Sequence, residues 1–215
     1  GVLASADILE ELAWLGALDN KLAMGTMNRG GIMGATWELD DRVTSYDVDH
    51  IESLGLDGGK TLIRIDHHDP GVARTLETVA SITTQLADRR LMSLIEPLPY
   101  LKDANGGAIL DTDPDALIKV VAIASGLGSS SAYSWLKLPT SDRMDEVAAA
   151  TTLPILMLGG EPKGSSGDIF DQWSTAMKEP NIRGLTAGRT LLYPSDGDSE
   201  SAAVRAGAIV HPHHS

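Results

Sequence analysis

Short apolar segments with the character of β-strands alternate with helical segments along all 215 residues of the chain. This alternation favours parallel βα units over an antiparallel meander or a helical bundle. The clearest helix begins near Pro70 and repeats apolar residues at helical spacing as far as Leu86. The strand candidates lie at residues 2–4, 22–27, 61–65, 91–97, 132–138, 154–158 and 183–188.

Seven strands are one too few to close a (β/α)8 barrel. The chain also begins abruptly, because the first strand candidate runs directly into a helix at Ser5. We therefore predict an α/β fold of the (β/α)8 TIM-barrel class that lacks its first strand in this chain. Residues 1–215 would form a single aldolase-type barrel domain, incomplete at the N-terminus. An open doubly wound sheet is the alternative architecture.

Composition narrows the possible functions. The formal net charge of −13, from 17 basic and 30 acidic residues, argues against binding to nucleic acid or anionic membranes, while leaving room for a local phosphate pocket. The absence of cysteine excludes disulfides, thiolate metal sites and cysteine nucleophiles. No apolar run approaches the roughly 18 residues of a membrane span, and no signal peptide opens the chain. We expect a soluble cytoplasmic protein.

A lysine and a glutamate occupy unusual places in this pattern. Lys137 lies in the apolar strand candidate that ends at Pro139, and Glu96 lies in the preceding one. Burying an ammonium is costly unless it is paired, or unless it loses its proton and becomes an amine nucleophile. On another strand, side-chain alternation places the polar residues Lys60, Arg64 and Asp66 on one face.

These residue types are those of Schiff-base chemistry. A lysine amine attacks a carbonyl only when unprotonated, and desolvation together with a nearby cation such as Lys60 or Arg64 favours that form. The resulting iminium accepts electrons when a carbon–carbon bond breaks. Glu96 is placed to shuttle protons during these steps. The pattern therefore predicts an aldolase that needs no metal and no organic cofactor.

Glycines close the last two strand candidates. Gly159-Gly160 follows one of them and Gly188-Arg189 the other, at the place where barrels commonly bind a substrate phosphate with backbone N–H groups. Arg189 can add a charge-assisted contact. Asn28, which precedes Arg29-Gly30-Gly31 after an earlier strand, is a further candidate for a substrate contact, although such glycine pairs also form plain turns.

Several short motifs, spread over residues 22–195, resemble those of the class I aldolases. The likeness is to the DeoC/LacD-like branch and, more distantly, to the class I fructose-bisphosphate aldolases. The motifs are Gly55-Leu56-Asp57-Gly58-Gly59-Lys60, Ile95-Glu96-Pro97, Leu136-Lys137-Leu138-Pro139, Leu158-Gly159-Gly160 and Gly184-Leu185-Thr186-Ala187-Gly188-Arg189.

The resemblance implies that Lys137 forms the Schiff base, that Glu96 is the acid/base and that Lys60 is a second active-site lysine. It implies a substrate phosphate surrounded by Gly159, Gly160, Gly188 and Arg189. The family's first-strand aspartate has no counterpart in this sequence, and Tyr100, which lies beyond two prolines, is not placed by it.

Within this family, the likeness is greatest to actinobacterial barrel proteins associated with myo-inositol catabolism. It implies cleavage of 2-deoxy-5-keto-gluconate 6-phosphate into dihydroxyacetone phosphate and malonate semialdehyde. Barrel aldolases commonly assemble, so a homo-oligomer is expected by analogy.

Two other functions stay open at this point. Carboxylates and imidazoles in Asp66-His67-His68-Asp69 could ligate a divalent metal, as in a metal-dependent lyase or hydrolase on the same barrel. Adjacent histidines on an extended segment point to opposite sides, which weakens this reading. The third function is a non-catalytic barrel that binds a phosphosugar.

Overall fold

The computed structural model describes residues 1–28, 39, 41–159 and 166–212, without the side chains of 166–168. The chain divides into two compact units, Gly1–Leu136 and Lys137–Ser215, and each is considered by itself. The prediction of one domain over residues 1–215 therefore stays a prediction. Within the described residues, no helix is long and apolar enough to cross a membrane.

The first unit alternates strands and helices, as the sequence predicts. The β-strands run parallel in the order β1-β2-β3-β4-β6, and β5 pairs antiparallel with β4. The elements are β1 (Val2–Ala4), α1 (Ala6–Trp14), β2 (Ala23–Thr26), α2 (Val48–Ser53), β3 (Gly58–Ile65), α3 (Gly71–Asp88), β4 (Met92–Lys102), β5 (Ala108–Leu110), α4 (Pro114–Ser125) and the beginning of β6 (Ser134–Leu138).

The central strands β2 and β3 are buried on both faces, which is typical of parallel sheets covered by helices. All of β2 and all of β3 except Leu62 are buried. Helix α3 turns its predicted apolar face inward. A core cluster joins α1, β2, α2 and α3 and consists of Leu9, Ala23, Met27, Tyr46, Val48, Ile51, Leu56, Ile82 and Leu86.

Helix α4 begins where the sequence signal predicts. Asp113 is its N-cap and accepts a hydrogen bond from the backbone N–H of Asp115, while Pro114 occupies the first turn. Proline suits this position because the first backbone N–H groups of a helix have no partner within it.

The segment after β4 differs from the prediction. The sequence predicts a strand that ends at Pro97 and then a polar loop, but β4 continues through both prolines and pairs with β5 in a hairpin. Tyr100 lies opposite Leu110 in that hairpin. Both prolines lie in the part of β4 that pairs with β3, opposite Ile63 and Ile65, and the hairpin with β5 begins only at Tyr100.

The second unit contains a parallel pair of strands, β7 (Ile155–Leu158) and β8 (Ile182–Thr186). Trp173 is fully buried, contacts Phe170 edge to face at 5.1 Å and donates its indole N–H to Leu158 O. The helices of the second unit are α5 (Met144–Ala149), α6 (Ser166–Ala176), the short α7 (Arg189–Leu192) and α8 (Ser199–Val210). No sequence signal predicts α7.

Candidate active site

Lys60 and Glu96 form an ion pair between neighbouring parallel strands. The Lys60 Nζ lies 3.4 Å from Glu96 Oε2, and each side chain is 11% exposed. In the β3–β4 register Lys60 is opposite Leu94 and Leu62 is opposite Glu96. Side chains of paired residues in a parallel sheet share a face, so the lysine reaches forward to a carboxylate two residues further along the partner strand.

The motif around Lys60 is built for close packing of strands. A Cβ added to Gly58 would come within 2.2 Å of Met92 O, and one added to Gly59 within 2.4 Å of the sulfur of Met27. Before them, Asp57 accepts a hydrogen bond from the backbone N–H of Ala23 at 2.7 Å. These residues hold β3 tightly between β2 and β4 and thereby fix the position of Lys60.

Arg64 lies on the same face of β3, nearer its carboxyl end, and is held by Asp41. Asp41 Oδ2 accepts from the backbone N–H of Arg64 at 2.6 Å, and Oδ1 accepts from Arg64 Nε at 2.8 Å and from Nη2 at 2.5 Å. Both side chains are almost completely buried. The Arg64 guanidinium carbon also lies 5.8 Å from the centre of the Tyr100 ring, a distance typical of a cation–π contact.

Burial raises the pKa of the Asp41 carboxyl to about 6. The hydrogen bonds and charge of Arg64, and the charge of Lys60, lower this pKa but do not offset the effect of burial. No local sequence pattern singles out Asp41. It stands in the charged stretch Asp40-Asp41-Arg42, a pattern that a solvated loop shows equally well.

Asn28 is fully buried, and its side-chain amide binds the backbone. Its Nδ2 donates to Leu62 O at 2.8 Å and to Asp41 O at 3.4 Å, and its Oδ1 accepts from the backbone N–H of Leu62 at 2.7 Å. Both amide hydrogens therefore have protein partners. The Asn28 side chain therefore holds the backbone of Leu62 and of Asp41 in place. Its predicted contact with substrate stays a prediction.

Asp66 is buried directly after β3, and its Oδ1 accepts from the backbone N–H of His68. Next to it, Asp69 Oδ2 lies 2.6 Å from Lys102 Nζ; their hydrogen bond lowers the pKa of Asp69 and raises that of Lys102. The rings of His67 and His68 are exposed. In the described part of the chain, no group of three histidines and carboxylates could hold a metal ion.

Lys137 lies in β6, as predicted, with fully buried leucines at Leu136 and Leu138 on either side of it. Lys137 and Trp135 are half-buried and share the other face of the strand. The expectation that an apolar strand carries this lysine is thus confirmed, whereas its role as a nucleophile stays a prediction.

Within the second unit, the end of β7 lies close to the turn after β8. The buried Thr190 hydroxyl donates to Gly159 O at 3.0 Å, and a Cβ added to Gly159 would meet Ala187 and Thr190 at 3.1 Å. Gly188 and Arg189 are exposed at the start of α7. Gly160 and the Arg29-Gly30-Gly31 loop lie outside the described residues.

The first unit thus provides a buried lysine–carboxylate pair and, beside it, a buried arginine–carboxylate pair. Such an arrangement can hold and transfer a proton in a site shielded from bulk water, which is the task of a general acid and base. It also concentrates titratable groups on one face of the sheet, as active sites do.

The fold is that of known aldolases. An archaeal fructose 1,6-bisphosphate aldolase superposes with a TM-score of 0.76 at 17% identity, covering 99% of this chain and 78% of that one. An archaeal aldolase with its catalytic lysine bound to the carbinolamine intermediate gives a TM-score of 0.72 at 17% identity, covering 98% and 78%. At this identity the likeness shows the fold, and it confirms the predicted aldolase-type barrel class over the doubly wound sheet.

Residues 1–208 match the Cgl0159-like family, and the chain belongs to that family. The crystal structure of Cgl0159 from Corynebacterium glutamicum is 45% identical, with a TM-score of 0.94, and the match covers 99% of this chain and 71% of that one. No match was found among curated proteins.

Proposed function

We propose that this chain is a class I aldolase that cleaves a phosphorylated keto sugar or sugar acid through a Schiff base on Lys137. The observation that carries the proposal is the buried ion pair of Lys60 on β3 and Glu96 on β4, the strand next to β6. Such a pair is weak support for stability, because the cost of desolvating two charges offsets most of their attraction. A catalytic role therefore explains this buried ion pair better than a stabilising role does.

The strand register supports the choice of Lys137. Leu94 of β4 pairs with Trp135 of β6. Two residues further along each strand come Glu96 and Lys137, and side chains two residues apart point to the same face. We therefore expect the carboxylate and the amine to serve one substrate.

The reaction begins with attack of the neutral amine of Lys137 on the substrate carbonyl carbon. In the carbinolamine that forms, protonated Glu96 gives its proton to the departing hydroxyl, which leaves as water, and an iminium results. The positive charge of Lys60 beside the site favours the unprotonated form of a nearby amine.

Carbon–carbon cleavage follows from the iminium. The Glu96 carboxylate takes the proton of the substrate hydroxyl on the β-carbon, the C–C bond breaks, and its electron pair moves into the iminium to give an enamine. The aldehyde fragment leaves. The enamine is then protonated on carbon and hydrolysed by water, which releases the ketone product and the lysine.

A phosphate site near the ends of β7 and β8 completes the proposal. Gly159 lies in contact with the turn between β8 and α7. Gly188 and Arg189 are exposed in that turn, which leaves both of them accessible to an anion. Backbone N–H groups, with Gly160 and the guanidinium of Arg189, would bind the phosphate. Arg64, Asp66 and Asn28 are further candidates for the polar end of the substrate pocket.

The finer substrate assignment rests on family resemblance. It favours 2-deoxy-5-keto-gluconate 6-phosphate, cleaved between the α- and β-carbons of its ketone into dihydroxyacetone phosphate and malonate semialdehyde. The solved relatives of similar fold are named as aldolases of fructose 1,6-bisphosphate, so this sugar belongs in any substrate panel. A cytoplasmic homo-oligomer is part of the same proposal.

Borohydride trapping tests the proposal directly. The protein is incubated with a panel of phosphorylated keto sugars, reduced, and analysed by intact mass and peptide mapping. We expect a reduced adduct on Lys137 that is lost in Lys137→Met and retained in Lys119→Met, an exposed lysine on α4.

Absence of an adduct from folded protein with every sugar would overturn the Schiff-base assignment. Phosphosugar binding without turnover would then favour the binding-only barrel. Turnover that survives Lys137→Met and is lost with chelator would favour a metal-dependent enzyme.

A further inference from the structure

Three buried hydroxyl groups lie together on the face of the sheet that packs against α3. Ser93 of β4 pairs with Ser134 of β6 in the strand register, so their side chains point to the same face. Thr83 of α3 reaches Ser93, with 3.1 Å between the two hydroxyl oxygens. The most exposed of the three residues, Ser134, is only 4% exposed.

The loop before β6 packs over this cluster. The backbone N–H of Ser129 donates to Thr84 Oγ1 at 3.0 Å, and a Cβ added to Gly128 would lie 2.8 Å from Cγ2 of Thr83. The end of the same loop is tied to β4, because the backbone N–H of Ser93 donates to Tyr133 O at 2.9 Å. The three hydroxyls therefore need partners inside the protein rather than in bulk water.

Side chains and backbone of the described residues do not satisfy these hydroxyls. Each hydroxyl has one hydrogen to donate and two lone pairs that accept. The bond between Thr83 and Ser93 uses only one of their two hydrogens, and the Ser134 hydroxyl has no partner in the part of the chain that the structure describes. Within that part, two buried O–H groups are thus left without an acceptor, which native proteins rarely tolerate.

We propose that one buried water molecule is bound between Ser134, Ser93 and Thr83 and joins β6, β4 and α3. Buried waters typically make about three hydrogen bonds to groups that otherwise have no partner, and a single water can accept from both of the remaining O–H groups. Serine at two paired positions also leaves more space beneath α3 than the branched apolar residues typical of buried parallel strands. The water site is independent of the proposed aldolase activity.

Thr61 provides a comparison within the same sheet. Its hydroxyl is also buried and has no partner among the described residues. Its register partner is Ile95, which in turn pairs with Leu136, so its neighbours across the strands are apolar. A water needs two to four polar partners, and we therefore expect none at Thr61.

The first test is a crystal structure of the unaltered protein at a resolution that shows ordered waters. We expect one water within about 3 Å of Ser134 Oγ and of at least one of the Ser93 and Thr83 hydroxyl oxygens. A Ser134 hydroxyl that bonds directly to Ser93, or that is enclosed by protein atoms with no water, would overturn the proposal.

The second test is the thermal unfolding of two variants. Ser134→Ala removes one partner of the water, and the loss of about one hydrogen bond should lower the melting temperature by about 2–4 °C. Thr61→Val is the matched control. It removes a hydroxyl that has no partner and keeps the shape of the side chain, so it should raise the melting temperature. A rise for Ser134→Ala as well would show that its hydroxyl binds nothing, contrary to the proposal.

A double-mutant cycle tests the bridge itself. Thr83 and Ser134 make no direct hydrogen bond, so a shared water is what would couple their hydroxyls. Thr83→Val and Ser134→Ala together should lose less stability than the sum of the two single losses, because either change alone already weakens the bound water. Ser134→Ala with Thr61→Val is the control pair, whose effects should add. Additive effects in both pairs would contradict a shared water.

Discussion

The side-chain amide of Asn28 pairs with both backbone groups of Leu62, at 2.8 Å and 2.7 Å. In the β2–β3 register Thr26 is opposite Lys60, so residue 28 stands where the next alternate pair with Leu62 falls. The amide extends the ladder beyond the end of β2. Its Nδ2 also donates to Asp41 O, and the Asp41 carboxylate accepts from the backbone N–H of Arg64 near the end of β3. The Asn28 side chain thus continues the hydrogen bonding between β2 and β3 past the last residue of β2.

Replacing this amide should destabilise the protein. Asn28→Ala leaves the backbone N–H and carbonyl of the part-buried Leu62 without their side-chain partner, at a cost of about 2–4 kcal/mol in the free energy of unfolding. Urea denaturation measures the change. Asn105→Ala, in the exposed turn of the β4–β5 hairpin, is the control, and a loss for Asn28→Ala no greater than for that variant would contradict the structural role.

Asp41 should make stability fall as the pH rises from about 4 to 6. Burial raises its pKa from 3.8 to about 6 in the folded protein, so the native state retains this proton over a range where the unfolded chain has released it. The carboxyl's contribution to stability is fully present below the unfolded pKa and is lost as the pH passes the folded pKa. Two pKa units correspond to about 3 kcal/mol.

The measurement is the free energy of unfolding at several pH values, for the unaltered protein and for Asp41→Asn. The variant should lack this component of the pH dependence, although it loses stability overall because Arg64 keeps a buried charge without its carboxylate. Parallel curves for the two proteins between pH 4 and pH 7 would contradict the raised pKa.

Glu96→Gln should separate substrate capture from turnover. The amide keeps the size of the carboxyl but cannot take or give a proton, so kcat should fall by about 10²- to 10⁴-fold. Borohydride should still trap an adduct on Lys137, more slowly. Glu77→Gln, exposed on α3, provides the control, and full activity in Glu96→Gln would exclude Glu96 as the acid/base.

Two glycine-to-alanine substitutions should have opposite effects on stability. In Gly58→Ala the new Cβ would meet the backbone carbonyl of Met92 at 2.2 Å, so β3 and β4 must separate and the variant should be strongly destabilised. Gly207→Ala, in the interior of α8 with nothing within 4 Å, should gain about 0.5–1 kcal/mol. Thermal unfolding of both variants checks this, and similar melting temperatures would contradict the β3–β4 contact.

Much of the secondary structure could be predicted because its signals are local. Apolar spacing in α3 and the Asp113-Pro114 start of α4 report burial and capping within a few residues of sequence. The hairpin between β4 and β5 could not be predicted from the sequence, because prolines such as Pro97 and Pro99 ordinarily end a strand. The pairing of Pro97 and Pro99 with β3, and of Tyr100 with Leu110, shows that the strand continues.

The same distinction between local and tertiary information applies to the candidate site. The sequence by itself determined the fold class and the buried strands that carry Lys60, Glu96 and Lys137, because apolar runs and side-chain alternation are properties of the chain alone. Tertiary structure decided which cation pairs with which carboxylate: Lys60 with Glu96, and Arg64 with Asp41. Those choices depend on strand register and on desolvation by distant segments, which no local pattern records.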